Sequence, residues 1–381
     1  MSVVWVTDRP GTVQAGDPLT GPRVTSFWWE VLNQGDQPTG VVLDGVDRVV
    51  DGWRIGGGAT GGRVDYNRDA EIRSSGSLSW AGLTPCDWTA FRLKPWITLA
   101  FPNGDRREWP LGVFLPSTPT TRWGESGATA DVDLYDKLVV LRDDKAATAF
   151  ALDAGTVVTE AVRGIITSAG EAHVAVTDST ATLRVPKVWE PGTSMLRVVN
   201  DLLDSINYSA VWVDGDGWFR CGPYVRPQDR ERAWDFRDDA TSIYRPDLEH
   251  EQDFFDVPNI VTLITSATGD EAALSWTETN TDEASPTSVP RRGREIGLVE
   301  TGVEAANIDT LIALTRRRLA EASQVGSVVT IDHAPIPLGL NDRVGFTRQP
   351  AALALDGVVQ SMTVTCEPGA LMRTRIREVA S

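Results

Sequence analysis

Residues 190–224 read EPGTSMLRVVNDLLDSINYSAVWVDGDGWFRCGPY. Pro191-Gly192-Thr193 makes a turn, with Thr193 placed to cap a helix beginning just beyond it. Leu196, Val199, Leu202, Leu203 and Ile206 then recur at helical spacing, so a short helix carries one apolar stripe. Beyond it, YSAVWV and WFRCGPYV are apolar runs of strand length on either side of Asp214-Gly215-Asp216-Gly217, which predicts a hairpin with its turn at 214–217. The Asp-Gly repeat also resembles part of a calcium loop. The next residues are Trp218, Phe219, Arg220 and Cys221, so the further oxygen ligands and the closing Glu are missing and the hairpin reading prevails.

Upstream, Val158, Ala161, Val162, Ile165, Ile166 and Ala169 place a second amphipathic helix over Thr156–Ala169, with Gly170 to stop it. Two helices and a hairpin make an α+β module at 146–225. On both sides of it the period changes to that of strands. Before it, Thr25–Leu32, Val41–Val50, Ala70–Trp80, Trp96–Phe101, Leu111–Leu115 and Ala128–Leu134 are β-branched or aromatic segments divided by turn formers. Asn103-Gly104-Asp105 joins WITLAF to REWPLGVFL as a hairpin. After the module, strands are expected over Asn259–Thr268, Ala272–Thr279, Gly326–Asp332, Asp342–Thr347, Gly357–Cys366 and Leu371–Val379, with one helix at Ile308–Ala322. The charged stretch 226–258 reads as an ordered crossing or linker rather than core, and 280–295 as a loop. The fold class is mainly β with an α+β insertion.

Composition excludes several kinds of chemistry. Lys and Arg number 36 against 53 Asp and Glu, a net charge of -17 spread along the chain, so the basic footprint of a nucleic-acid-binding surface is absent. Cys86, Cys221 and Cys366 stand far apart without metal or redox spacing and read as small hydrophobes. His173, His250 and His333 are equally isolated. Gly56-Gly57-Gly58 with Gly61-Gly62 lacks the Lys-Ser/Thr and the helix of a phosphate loop, and reads as a flexible loop. Nucleophile-elbow, zincin and dinucleotide signatures do not occur, so the expectation is a protein that is not an enzyme and needs no cofactor or metal. No leader or long apolar run is present, which predicts a soluble, unexported chain without a membrane span.

Fourteen tryptophans are the main compositional excess. Trp28, Trp29, Trp80, Trp88, Trp96, Trp109 and Trp123 crowd the first third. Packing in the core is the first reading, and a buried assembly interface the second, with Trp28, Trp29 and Trp109 as candidates. Arg316 and Arg317, within Arg316-Arg317-Arg318, mark either a solvated face or a carboxylate-pairing interface patch.

The ordered words GTVVTEAVRGIITSAG, LRVPKVWEPGTSMLRVVNDLLDSINYSAVWVDGDGWFRCGPYVRP and FFDVPNIVTLI, with the earlier REWPLGVFLPSTP, resemble the tail hub family of actinobacterial siphophages, known as minor tail proteins. The resemblance spans roughly residues 90 to 381 and carries no catalytic signature. It implies two tube-type β-barrel domains, at 46–145 and 226–381, with the α+β module at 146–225 between them. Residues 1–45 match poorly and form an arm or added strand. It further implies a homotrimer at the tail tip of the virion, made in the host cytoplasm, which adapts a sixfold tube to a threefold tip. The implied partners are the distal tail protein, the tape measure protein and other tail-tip or receptor-binding proteins, with DNA only in transit. A negative channel wall would keep phosphates from sticking; plain solubility explains the acidity equally well. A receptor- or glycan-binding tip protein is the alternative, and a carboxylate-based cell-wall hydrolase a more distant one.

Overall fold

The computed structural model describes residues 4–5, 18–46, 48–50, 53–55, 57–82, 86–125, 127–183, 186–253, 256–265, 273–303, 308–323 and 326–379. Strands dominate, with an α+β module inserted among them. The chain divides into two compact units, residues 1–247 with 331–376 and residues 248–330 with 377–381.

The first unit is built on a fifteen-stranded sheet. Its central run is a ladder of neighbours. Phe114–Gly124 pairs with Gly127–Asp136, then come Ser74–Ala81, Gly58–Asn67 and Leu353–Thr365, each antiparallel to the last. Val24–Asn33 adds to Phe91–Ala100 over ten register pairs, from Val24 with Ala100 to Asn33 with Phe91. Strand alternation decides which face is buried. In Gly127–Asp136, Ala128, Ala130, Val132 and Leu134 are buried while Thr129, Asp131 and Asp133 are exposed. Leu78, Trp80, Val64, Trp29 and Phe114 complete this core. Each buried indole removes roughly 150–250 Å² from water, about 4–6 kcal/mol at ~25 cal/mol/Å².

The glycines at 58, 61 and 62 belong to the strand Gly58–Asn67 and not to a loop; Gly56 lies outside the described residues, as do 266–268 and 272 at the ends of two expected strands. At Gly62 the reason is space. A Cβ on Gly62 would stand 2.7 Å from Ser77 O and 2.7 Å from Cζ2 of Trp29, so the indole packs directly on bare backbone. The 226–258 stretch also departs from expectation. Arg232–Phe236 pairs in parallel with Arg343–Arg348, and Trp234, Phe236 and Tyr244 are buried. The chain at 111–113 is not a strand; the next strand begins at Phe114 and runs on to Gly124.

Residues 138–221 form the α+β module. Helices Leu138–Asp143, Val158–Ser168 and Met195–Asp204 pack with a three-stranded sheet in which Phe219–Cys221 lies between Val174–Val176 and Trp212–Val213. The third helix is capped by Ser194, whose hydroxyl accepts from Arg197 N at 3.3 Å, rather than by Thr193. Thr193 instead donates its hydroxyl to Glu190 O at 2.7 Å and closes the turn before the helix. The module has its own core, running from Leu138 through Val162, Ile166, Val199, Leu203 and Phe219 to Cys221. Among the described residues, the one apolar side chain packed against it from outside 138–221 is Ile72.

In the second unit, Ile260–Thr265 lies between Ser275–Thr279 and Gly297–Val303, and the helix Ile308–Ala322 covers one face. Leu311 packs with Val261 and Leu263 at the centre, joined by Leu298, Leu314 and Leu319. The 280–295 segment includes a short helix, Val289–Arg292. Asn259, fully buried, anchors that segment by donating to Thr287 O and Arg294 O and accepting from Ile296 N.

Candidate functional surfaces

The solvent side of the central ladder is low and polar. Register places Asp133 beside Ser77 and Ser77 beside Arg63, with Thr365 next in line. The row on one side runs Tyr135, Ser75, Asp65 and Thr363, and the row on the other side Asp131, Ser79 and Gly61. Hydroxyls and carboxylates tie the rows together. Ser79 Oγ donates to Asp131 at 3.2 Å, Thr363 Oγ1 to Asp65 at 2.7 Å, and Arg63 pairs with Asp65 at 2.7 Å. Hydrogen bonds from Arg122 and Ser79 hold the Asp131 carboxyl below the usual range. Such a face stays hydrated and offers little to an apolar partner.

The candidate tryptophans divide between the two faces of one sheet. Trp29 and Trp109 are buried in the chain's own core. Trp28 faces the other way and stacks on Trp96, its cross-strand neighbour, at 5.2 Å with parallel rings. Trp28 Nε1 donates to Glu108 at 2.8 Å, Trp96 Nε1 to Glu30 at 3.0 Å, and Lys94 Nζ lies 4.7 Å above the Trp96 ring. Arg316 and Arg317 are exposed on the second-unit helix, where Arg316 pairs with Glu278 at 2.8 Å. Among the described residues, Trp123, Trp212, Trp218 and Trp276 are the exposed indoles.

Asp214–Gly217 turns the hairpin, with Asp214 N donating to Trp218 O and Gly217 N to Asp214 O. The turn also presses on the strands before the module. A Cβ on Gly215 would meet Pro110 O at 2.7 Å, and one on Gly217, whose φ is +84°, would meet Val113 Cγ2 at 2.8 Å. Asp216 pairs with Lys94 at 2.8 Å, and Gly217 O accepts from Lys137 Nζ at 2.8 Å.

Beside this turn lies a buried group of four charges that spacing did not bring together. Lys137, fully buried, binds Asp36 and lies 2.7 Å from Glu171 Oε2. Arg92 reaches Asp36 at 2.6 Å and Glu171 at 2.7 Å. Two cations and two carboxylates compensate one another through short, directed contacts. His173 stands at the rim, with Nδ1 3.3 Å from Asp36 but outside hydrogen-bond geometry, and its ring stacked on Trp218 at 4.8 Å. The available signal was charge inside apolar runs: Arg92 in FRLKPWITL and Lys137 before LVVL.

Burial pushes the Cys221 and Cys366 thiols up to about 12 and the half-buried Cys86 to about 11, so none is poised as a nucleophile. Among the described residues no group of three His, Cys, Asp or Glu side chains could hold a metal ion. No helix there is long and apolar enough to cross a membrane.

No protein-family model matches the chain, and no curated protein matches it in sequence. Solved structures do match in shape. A tail protein from Neisseria meningitidis MC58 aligns with TM-score 0.64 and 12% identity over 93% of this chain and 97% of its own. The 43 kDa tail protein of prophage MuSo2 from Shewanella oneidensis gives 0.59 and 11% over 92% and 98%. A chain of the Francisella PdpA-VgrG complex gives 0.58 and 8%, over 94% of this chain and 58% of that one. The chain therefore has the fold of phage tail proteins, a fold found also in a VgrG complex.

Proposed function

We propose that the chain is a structural protein of a siphophage virion, the hub at the tail tip. Three copies adapt the sixfold tail tube to a threefold tip and surround part of the channel through which DNA leaves. Residues 46–145 and 226–381 supply the two tube-type barrels of each copy, with 146–225 as the inserted module and the helix Leu138–Asp143, at the end of the first range, packed into the module's core. The distal tail protein, the tape measure protein and further tip proteins are its neighbours, and it works without catalysis. The observation that carries the reading is the polar ladder face of Ser75, Ser77, Ser79, Asp131 and Asp133 in a tail-protein fold. Small hydroxyls and carboxylates present a wetted wall with few cations to hold passing phosphates.

Electron cryomicroscopy of the intact particle, with threefold symmetry at the tip, tests this. Three copies around a DNA-width axis, with this face inward, are expected. A peripheral position would overturn the hub reading, and an outward-facing ladder would overturn the channel assignment. Exposed Trp212, Trp218 and Tyr224 on the module and its edge favour a second reading, a receptor- or glycan-binding surface. Saccharide binding lost on Trp212→Ala would support it.

A further inference from the structure

We infer that the α+β module is a movable part, held on the strands around it by a polar latch. Two independent observations meet at this junction. The module's apolar core is self-contained, with Ile72 the sole outside member packed against it among the described residues, so no continuous hydrophobic seam welds it in place. The contacts across the junction are instead mainly polar and directional, apart from the close approach of the Gly215 and Gly217 backbone to Pro110 and Val113. Glu171, His173, Asp216 and the Gly217 carbonyl come from the module; Asp36, Arg92, Lys94 and Lys137 come from outside it or from its entry point.

Directed contacts of this kind define an orientation closely. They also separate at lower cost than an apolar seam, because charges released from the junction regain water. Lys137 is the keystone. It precedes the first module helix directly and touches Asp36, Glu171 and Gly217 O, with its ammonium 5.1 Å above the Phe219 ring. Opening the latch removes Glu171 and the 214–217 turn together, and leaves Asp36 to share Arg92 and Lys137. The module keeps its own core through that movement and turns as a body about the entry at Asp136-Lys137.

The test uses the full chain with Cys86→Ser, spin-labelled at Val188→Cys on the module and Thr129→Cys on the ladder, both exposed positions. Pulsed electron resonance then reads the distance between them. The parent should give one narrow distance. Lys137→Met with Glu171→Met removes one charge of each sign, so the remaining Asp36–Arg92 pair stays neutral and folding is protected. A broad or doubled distribution is expected, with amide exchange at residues 214–217 rising about tenfold and the module's helices still protected. A narrow, unshifted distance in the double variant would overturn the inference. So would loss of the module's own protection together with the ladder's, because the two would then be one cooperative body. Lys137→Arg should restore a single distance. Neither result depends on where the chain sits in a particle.

Discussion

His333 offers the sharpest test of how burial shapes this protein. The side chain is fully buried at the end of the strand Gly326–His333. Its Nδ1 lies 2.9 Å from the Ala334 carbonyl, which can only accept, so Nδ1 carries the proton; Nε2 then accepts from Thr374 Oγ1 at 2.8 Å. Both nitrogens are committed in the neutral ring, and Phe236 closes over it at 4.9 Å. Burial, aided by the Arg23 charge and opposed by the Ala334 carbonyl, pushes the pKa from 6.5 down to about 4. The unfolded chain therefore binds a proton that the folded chain refuses. Stability from this site is complete above pH 6.5 and is lost as pH falls towards 4, by about 3 kcal/mol over the window.

Asp136 acts in the opposite sense. Burial raises its carboxyl from 3.8 to about 6, against hydrogen bonds from Leu138 N and Ser74 N. Its contribution is complete below 3.8 and is lost as pH rises to 6, again by about 3 kcal/mol. Between pH 4 and 6 the two slopes nearly cancel in the parent. His333→Gln removes one of them. Urea unfolding followed by tryptophan fluorescence at pH 7, 6, 5 and 4 should show the parent's advantage over His333→Gln shrinking by about 3 kcal/mol from pH 7 to 4. A constant difference across that range would refute the reasoning.

Packing sets three further outcomes. Gly76→Ala sets a Cβ 2.3 Å from the Arg63 carbonyl in the neighbouring strand, where no rotamer change gives relief; a loss of about 1–3 kcal/mol or more is expected in denaturant melts. Trp29→Ala empties the space over Gly62 and should cost about 3–5 kcal/mol, read as a lower midpoint or as insoluble protein. Arg316→Ala breaks an exposed pair with Glu278 and should change stability by less than about 0.5 kcal/mol; a larger loss in the isolated chain would mean that the pair does more than its exposure suggests.

Local periodicity sufficed for elements whose contacts are local. The helix Ile308–Ala322 has the bounds expected from the sequence, and Val158–Ser168 lies inside the 156–169 that its apolar spacing predicts. The turns at Asn103-Gly104 and at 214–217 sit between the strands their flanking apolar runs announced, because a hairpin's contacts are made by neighbours in sequence. Local pattern failed where the deciding partner is remote. Glycines 58, 61 and 62 resemble a loop because a strand interior normally disfavours glycine; at Gly62 the Trp29 ring, some thirty residues earlier, is what requires bare backbone. The connector resembles a solvated segment because charges dominate its composition. Its strand Arg232–Phe236 exists because Arg343–Arg348, more than a hundred residues later, supplies the ladder, while Arg343 reaches Asp356 and the carbonyls of Gln228 and Arg230. The same holds for Asp36, Arg92, Lys137 and Glu171. Sequence decides the kind of charge at each position, but only folding brings the four within ion-pair distance, where the loss of water makes each depend on the others.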